Sequence, residues 1–328
     1  MQIFNSPDNL AAEFPNVVFA AGFFDGAHVG HQKIFEAARL WKNNASNAPA
    51  AFFVLTFDPH PLAILAPERK PSLIMSLETR LRHLAESGAD GCLLLPFTKD
   101  LAELSAEDFV SQIFGGWFAP DKTIAIAAGA NWRFGRGGAG DLAEAVRASS
   151  GKIEAVLVPS ATSDGAAISS SAIRRLIASG DLVTAAKMLG RPYEICGATT
   201  VGRGIGAKLG FATANISHTA EILPPCGVYI AEAATLCAPS GCAEIKPIWR
   251  PAVANLGFRP TFTDATPSAP ALEVHIIGHT GDLHGAEIAV RFISKLRDEM
   301  RFDNTDALVA QIRADIAAAE SFFRYSQD

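Results

Sequence analysis

The chain has 328 residues, 49% of them hydrophobic and 19% charged, with a formal net charge of -6. That length exceeds one ordinary core and points to two domains, while the acidic balance offers no global basic footprint for a nucleic-acid partner. No apolar run approaches the roughly 20 residues of a membrane helix, so no membrane partner is expected either.

The first dozen residues, MQIFNSPDNLAA, carry no Lys or Arg and no long apolar run, so no signal peptide is expected. Apolar runs then alternate with helical patterns. The strand-like runs are NVVFAA (16–21), AAFFVLTF (with its core at 51–57), GCLLLPF (91–97), TIAIAAG (123–129) and IEAVLVP (153–159). Between them HQKIFEAARLW, LETRLRHLAESG, AEDFVSQIF and GDLAEAVRA place apolar residues three and four apart, the helical spacing. Strands apolar throughout and joined by helices predict a doubly wound α/β domain on a parallel sheet, with its site at the carboxyl ends of the strands. GRGGAG (135–140), with four glycines, reads as a mobile loop or simply a linker.

From LGRPYEICG (189–197) onward the texture changes to short alternating segments: EICGATTV, GVYIAEAATL, RPAVANLG, ALEVHIIG and AEIAVRFISKL. These predict a small antiparallel β-barrel. A final helix follows an Asn304/Thr305 cap, with Leu308, Ile312, Ile316 and Phe323 (or Ala319) as the stripe that packs on the barrel. The expected domains are 1–186 and 187–328. Five cysteines without a CxxC pair fit small buried thiols in a reducing cytoplasm.

GFFDGAHVGHQ (22–32) sits between the first strand run and the first helix. His28 and His31 are three apart on the opening turn, where unpaired N–H groups and the helix dipole favour an anion. Gly22, Gly26 and Gly30 permit close backbone approach, and two imidazoles can stabilise charge that develops on a departing phosphate. An ordinary strand–turn–helix with polar caps is the competing reading. Far downstream, ISSSAIR (168–174) offers Ser169, Ser170 and Ser171 at another helix start, with Arg174 as a forked cation for phosphate. In ALEVHII the apolar set Leu272, Val274, Ile276 turns Glu273 and His275 to the other face. VGRGIGAKLG (201–210) satisfies neither a dinucleotide nor a GxxxxGK[ST] pattern.

The HxGH stretch, TFDPHP (56–61), GANWRFG (129–135) and ISSSAIR together resemble the nucleotidyltransferase module of bacterial FAD synthetases. LGFATANI (209–216), GVY, ANLGFRPTF (254–262), LEVHIIG, LHG and LRDEMRF (296–302) resemble the riboflavin kinase module fused to it, in the family's order. The resemblance implies a bifunctional riboflavin kinase/FMN adenylyltransferase that uses ATP with Mg²⁺, with riboflavin, FMN and FAD as substrates and products. It implies that His28, His31 and Arg174 handle the phosphates, with Gly22, Phe24, Asp25, Gly30, Asn131 and the three serines lining the nucleotide site. Asp25 would orient a histidine or the Mg²⁺ shell, and Phe57, Pro59 and His60 would face the flavin. Trp132 and Phe134 are equally core or stacking residues.

In the second module the same resemblance makes Gly206 and Lys208 part of a flap over ATP, Thr213 and Asn215 the Mg²⁺ ligands, and Glu273 the general base, with His275 in reserve. Arg297 and Arg301, read as i, i+4 on a helix, would be ion-pair or flavin-side residues. Three departures stand out: Ala207 and Ala212 where the family carries Arg and Pro, and His284 where it often carries Tyr. They leave a second reading open, an FMN adenylyltransferase whose barrel is a degenerate flavin-binding domain. A non-catalytic flavin sensor is disfavoured by the clustered histidines. Oligomeric state is not written in the sequence, and a homo-oligomer is compatible with it.

Overall fold

The computed structural model describes residues 1–44, 49–200, 210–237, 247–258 and 270–325. The chain divides into two compact units, Met1–Ala172 and Ile173–Asp328.

The first unit is built on six parallel strands: β1 (Gln2–Phe4), β2 (Asn16–Ala21), β3 (Ala51–Asp58), β4 (Gly91–Pro96), β5 (Thr123–Gly129) and β6 (Ile153–Val158), in the order β1-β4-β3-β2-β5-β6. Strand side chains alternate between two cores. Val17, Phe19, Ala21, Phe53 and Leu55 pack on one face; Val18, Ala20, Phe52 and Val54 pack on the other. A sheet covered on both sides needs apolar residues at every position, which is why the strands read as unbroken apolar runs.

Among the described residues, seven α-helices accompany the strands: α1 (Leu10–Glu13), α2 (Val29–Lys42), α3 (Pro61–Leu65), α4 (Leu77–Glu86), α5 (Lys99–Glu103), α6 (Ala106–Phe114) and α7 (Leu142–Ala148). Side-chain oxygens of Ser76, Thr98, Ser105 and Asp141 cap α4 to α7. Ile34, Phe35, Ala38 and Trp41 of α2 join one core, and Phe109, Val110, Ile113 and Phe114 of α6 join the other. A two-stranded hairpin, β7 (Thr162–Ser163) and β8 (Ala166–Ala167), precedes α8 (Ser170–Ser179), within which the division between the units falls. β2 has β3 on one side and β5 on the other, so the order of the strands reverses at β2.

The glycine-rich segment 135–140 is closed at its ends by one backbone pairing. Phe134 and Gly140 exchange backbone hydrogen bonds, and Gly135, Gly137 and Gly138 take left-handed φ values of 72°, 66° and 69°. The glycines supply the left-handed φ values that this closed turn takes.

The second unit continues through α9 (Leu182–Leu189) into a closed antiparallel barrel. Its strands are β9 (Tyr193–Thr200), β10 (Ala214–His218), β11 (Gly227–Cys237), β12 (Arg250–Gly257), β13 (Ala271–Ile276) and β14 (Glu287–Arg297), in the order β10-β13-β12-β11-β14-β9. Alanines 231, 233, 252, 254 and 289 are fully buried beside the large rings of Tyr193, Tyr229 and Phe292, an alternation of small and large that fills a narrow barrel. The C-terminal helix α10 (Thr305–Tyr325) follows. Of the two residues weighed for the end of its stripe, Ala319 is fully buried, whereas Phe323 is only partly covered. Arg297 is the last residue of β14, and Arg301 lies in irregular chain; the expected helix over them does not form.

Candidate active sites

The first site forms where β2 and β5 end. A cavity of about 530 Å³ is lined by Gly22, Phe23, Phe24 and His28 from the β2–α2 connection, Gly30 and His31 from the first turn of α2, Phe57 near the end of β3 and Pro61 at the start of α3, Asn131 and Trp132 beyond β5, and Ser169–Ser171 at the start of α8. His28 caps α2: its Nδ1 accepts the backbone N–H of His31 at 3.3 Å. In a neutral ring that leaves Nε2 carrying the proton, hence a donor. The two imidazoles stack, with centroids 3.5 Å apart and planes 16° from parallel.

Two glycines permit this arrangement. A Cβ on Gly22 would lie 2.9 Å from the Phe24 ring, and one on Gly30 would press on the His28 ring at 3.2 Å. Phe24 and Ala27 adopt left-handed φ values of 61° and 39°. Strain of this kind at non-glycine residues is retained where surrounding structure over-determines it.

The pocket brings together most of the expected first-module residues: Gly22, Phe24, His28, Gly30, His31, Phe57, Asn131 and all three serines. Asp25 lies beneath it, buried, with both carboxylate oxygens accepting the Ile74 N–H at 3.0 and 3.1 Å. The Ser170 hydroxyl donates to the Asp25 carbonyl at 2.8 Å, and Ser169 caps α8 by accepting from Ala172. His60 caps α3 and meets the Phe23 ring edge-on at 4.4 Å. Pro59 is exposed outside the lining. Arg174 stands one turn beyond Ser170 on α8. Trp132 and Phe134 are buried with centroids 4.8 Å apart, members of the core, although Trp132 also touches the cavity.

Sequence reasoning missed Arg80. It is 2% exposed. Its guanidinium donates to the Phe23 carbonyl at 3.2 Å, the Phe57 carbonyl at 2.9 Å and Asp58 Oδ1 at 3.4 Å, and lies 4.2 Å over the Phe23 ring. Burial lowers its pKa, while Asp58, Asp25 and the Cys92 sulfur oppose that shift. The available signal was its place in α4, three residues after Leu77 and four before Leu84, on the inward stripe.

The second site is on the barrel's outer wall. Leu272, Val274 and Ile276 fill the interior, and Glu273 faces outward as the alternation requires. In register, Asn215 of β10 and Asn255 of β12 stand directly beside Glu273 on either side. Asn215 is buried. A cavity of about 500 Å³ runs from this row to α10, lined by Phe211, Thr213, Asn255, Glu273, Arg297, Phe302, Leu308, Ile312 and Ile316 among others. The helix's expected packing stripe is therefore half-buried and forms the cavity's apolar roof.

Thr213 also lines a smaller, more polar cleft of about 200 Å³ with Thr200, His279, Asp282 and His284. His275 Nδ1 lies 2.8 Å from the Ala212 carbonyl and secures the segment ahead of Thr213. Arg297 is held by a carboxylate. Its Nε and Nη2 donate to Asp315 of α10 at 2.8–3.1 Å, and Gln311 donates to the same group. Asn255 and Asp315 were not anticipated; Asn255 carries the signal of lying between apolar residues in a strand. Gly206, Lys208 and Ala207 lie outside the described residues. Among the described residues no group of three or more His, Cys, Asp or Glu is placed to hold a metal ion.

Two family models match the chain in succession: FAD synthetase over residues 11–172 and riboflavin kinase over 189–323. The Escherichia coli K12 protein named bifunctional riboflavin kinase/FMN adenylyltransferase is 33% identical over 325 residues, covering 98% of both chains. The Bacillus subtilis protein of the same name is 31% identical over 308 residues, covering 93% of this chain and 92% of its own. A crystal structure described as a macrolide-efflux protein from Streptococcus pneumoniae superposes with a TM-score of 0.78 at 26% identity, covering 97% of this chain and 98% of its own. Its description differs from those of the sequence relatives, yet the fold is shared along the whole length.

Proposed function

The chain belongs to the family of bifunctional riboflavin kinase/FMN adenylyltransferases, and we propose that it phosphorylates riboflavin at the barrel and adenylylates the resulting FMN at the parallel sheet. The observation that carries this reading is the presence of both sites in one chain: stacked histidines capping a helix beside three serines, and an outward carboxylate flanked by two amides. We assign 1–186 to adenylyl transfer and 187–328 to the kinase.

At the first site a phosphate oxygen of FMN attacks the α-phosphorus of ATP. A new P–O bond forms, the bond to the β-phosphate breaks, and pyrophosphate leaves. Such transfers depend on positioning and neutralised charge. His28 donates through Nε2 and His31 stacks on it, so both imidazoles serve the departing phosphates. The serines and the first turn of α8 add donors, Arg174 a cation from the next turn, and Asn131 an amide at the rim. Phe57 and His60 serve the flavin side. Asp25 acts by fixing the loop that bears the histidines.

At the second site Glu273 takes the proton from the 5′-hydroxyl of riboflavin as that oxygen attacks the γ-phosphorus, and ADP departs. The apolar roof of Leu308, Ile312 and Ile316 suits a flavin ring, and the polar cleft suits the nucleotide, with Thr213 shared between the two. The Thr213 hydroxyl and Asn215 amide oxygen fit a hard cation that keeps waters and phosphate among its ligands, so Mg²⁺ belongs here. When bound it neutralises phosphate charge. Ala212 leaves the Thr213 segment without a proline, yet His275 ties it down. The kinase therefore remains active, and the adenylyltransferase-only reading is not favoured. A cytoplasmic setting accords with its substrates.

Supplying purified protein with riboflavin or with FMN, each with MgATP, tests the assignment by chromatography. FAD should form from both substrates. FAD from FMN alone would return the barrel to a degenerate role, and folded protein yielding no FAD from FMN would remove the first-site assignment.

A further inference from the structure

Phe57 and His60 are assigned above to the flavin side, with the Phe23 ring against His60, and the inference below rests on that reading. Phe57 is near the end of β3, where it pairs with Leu95 of β4, whereas Phe23 lies in the loop after β2; the β2–β3 pairing ends at Ala21 and Leu55, with Gly22 donating to the Leu55 carbonyl. The Thr56 hydroxyl adds one tie, donating to the Phe23 carbonyl at 3.1 Å. We propose that Arg80 is a positioning residue for adenylyl transfer, setting the flavin-facing wall by holding the Phe23 and Phe57 carbonyls in one guanidinium fork.

Three observations carry this. Nη1 takes the loop after β2 and Nη2 the end of β3, so a single rigid plane sets the distance between them. The same plane covers one face of Phe23 at 4.2 Å, while His60 meets that ring edge-on at 4.4 Å, so the ring is fixed from two directions. The arrangement is also a poor way merely to stabilise a helix. The guanidinium is almost wholly buried, its one carboxylate contact is long at 3.4 Å, and Nε has no partner among the described residues. Burying a charge with incomplete satisfaction is usually less stabilising than an apolar side chain of similar volume, so geometry rather than stability explains its place.

Arg80→Met and Arg80→Lys in the full chain test this. Riboflavin phosphorylation by the same preparations reports on folding of the rest of the molecule. For Arg80→Met the expected result is an FMN KM raised at least ten-fold, with the ATP KM and riboflavin phosphorylation within two-fold of wild type. Arg80→Lys keeps the charge but cannot bridge both carbonyls, so its FMN KM should fall between. An unchanged FMN KM, or FMN and ATP KM rising together, overturns the proposal. If Arg80→Met does not fold, Arg80→Lys decides: a three-fold or larger rise confined to FMN supports the fork, and wild-type values contradict it. Wild-type protein that makes no FAD from FMN would instead overturn the reading of the pocket itself.

Discussion

His28 illustrates how one side chain joins local structure to chemistry: the nitrogen that caps α2 fixes the tautomer of the other. Replacing His28 by Ala removes both the cap and the donor. FAD formation from FMN should fall at least 100-fold while riboflavin phosphorylation stays within two-fold, a pattern read by assaying the two reactions separately. Glu273→Gln should give the opposite split, because the amide cannot accept the hydroxyl proton. Loss of both reactions in either variant would argue against independent sites. Gly22 is a steric case. Gly22→Ala places a methyl 2.9 Å from the Phe24 ring, and overpacking of this kind costs about 1–3 kcal/mol. Thermal melts should show it as a lower Tm, and a Tm equal to wild type would contradict the packing.

Between elements, the tie from β14 to α10 is the Arg297–Asp315 pair, in which the carboxylate is 4% exposed and Gln311 supplies a further donor. Removing one partner of a buried pair costs about 3–5 kcal/mol. Asp315→Asn should therefore lower stability and raise the riboflavin KM, because α10 roofs the cavity; an Arg297→Met/Asp315→Leu double variant should recover part of the stability. A fully exposed pair would show neither effect in denaturant titrations.

The same elements show what the sequence made legible. The central strands were visible because burial on both faces demands apolar residues throughout, and the barrel strands because a filled interior imposes alternation. β1 was not: three edge residues carry no period, and their pairing with β4 is a contact across some ninety positions of chain. Arg297 was misplaced because a strand that ends in charged residues resembles a helix turn when its partner, Asp315, lies on another element. Arg80 was passed over because arginine on a helix is ordinarily exposed. The outward direction of Glu273 was legible from alternation alone, but the two amides beside it required the register.

Over the whole molecule, burial gives each unit a group that resists ionisation. The Cys92 thiol, ordinarily near 9, is pushed up to about 12, and the Tyr229 hydroxyl, ordinarily near 10, also to about 12, each chiefly by desolvation. Between those values the unfolded chain loses these protons and the folded one keeps them, so stability is present below about pH 9 and declines toward pH 12. Melts across that range should show a falling Tm, and a rising one would contradict the burial. Among the described residues no helix is long and apolar enough to cross a membrane.

The two units imply two reactions in series, with the product of the barrel consumed at the sheet. Isotope partition tests this most directly. Given riboflavin and MgATP labelled with ³²P at the γ-position, the protein should place label in FMN and then in FAD. With label at the α-position, FAD should be labelled and FMN should not. Label from the α-phosphate appearing in FMN, or FAD forming without γ-label, would contradict the two-site account.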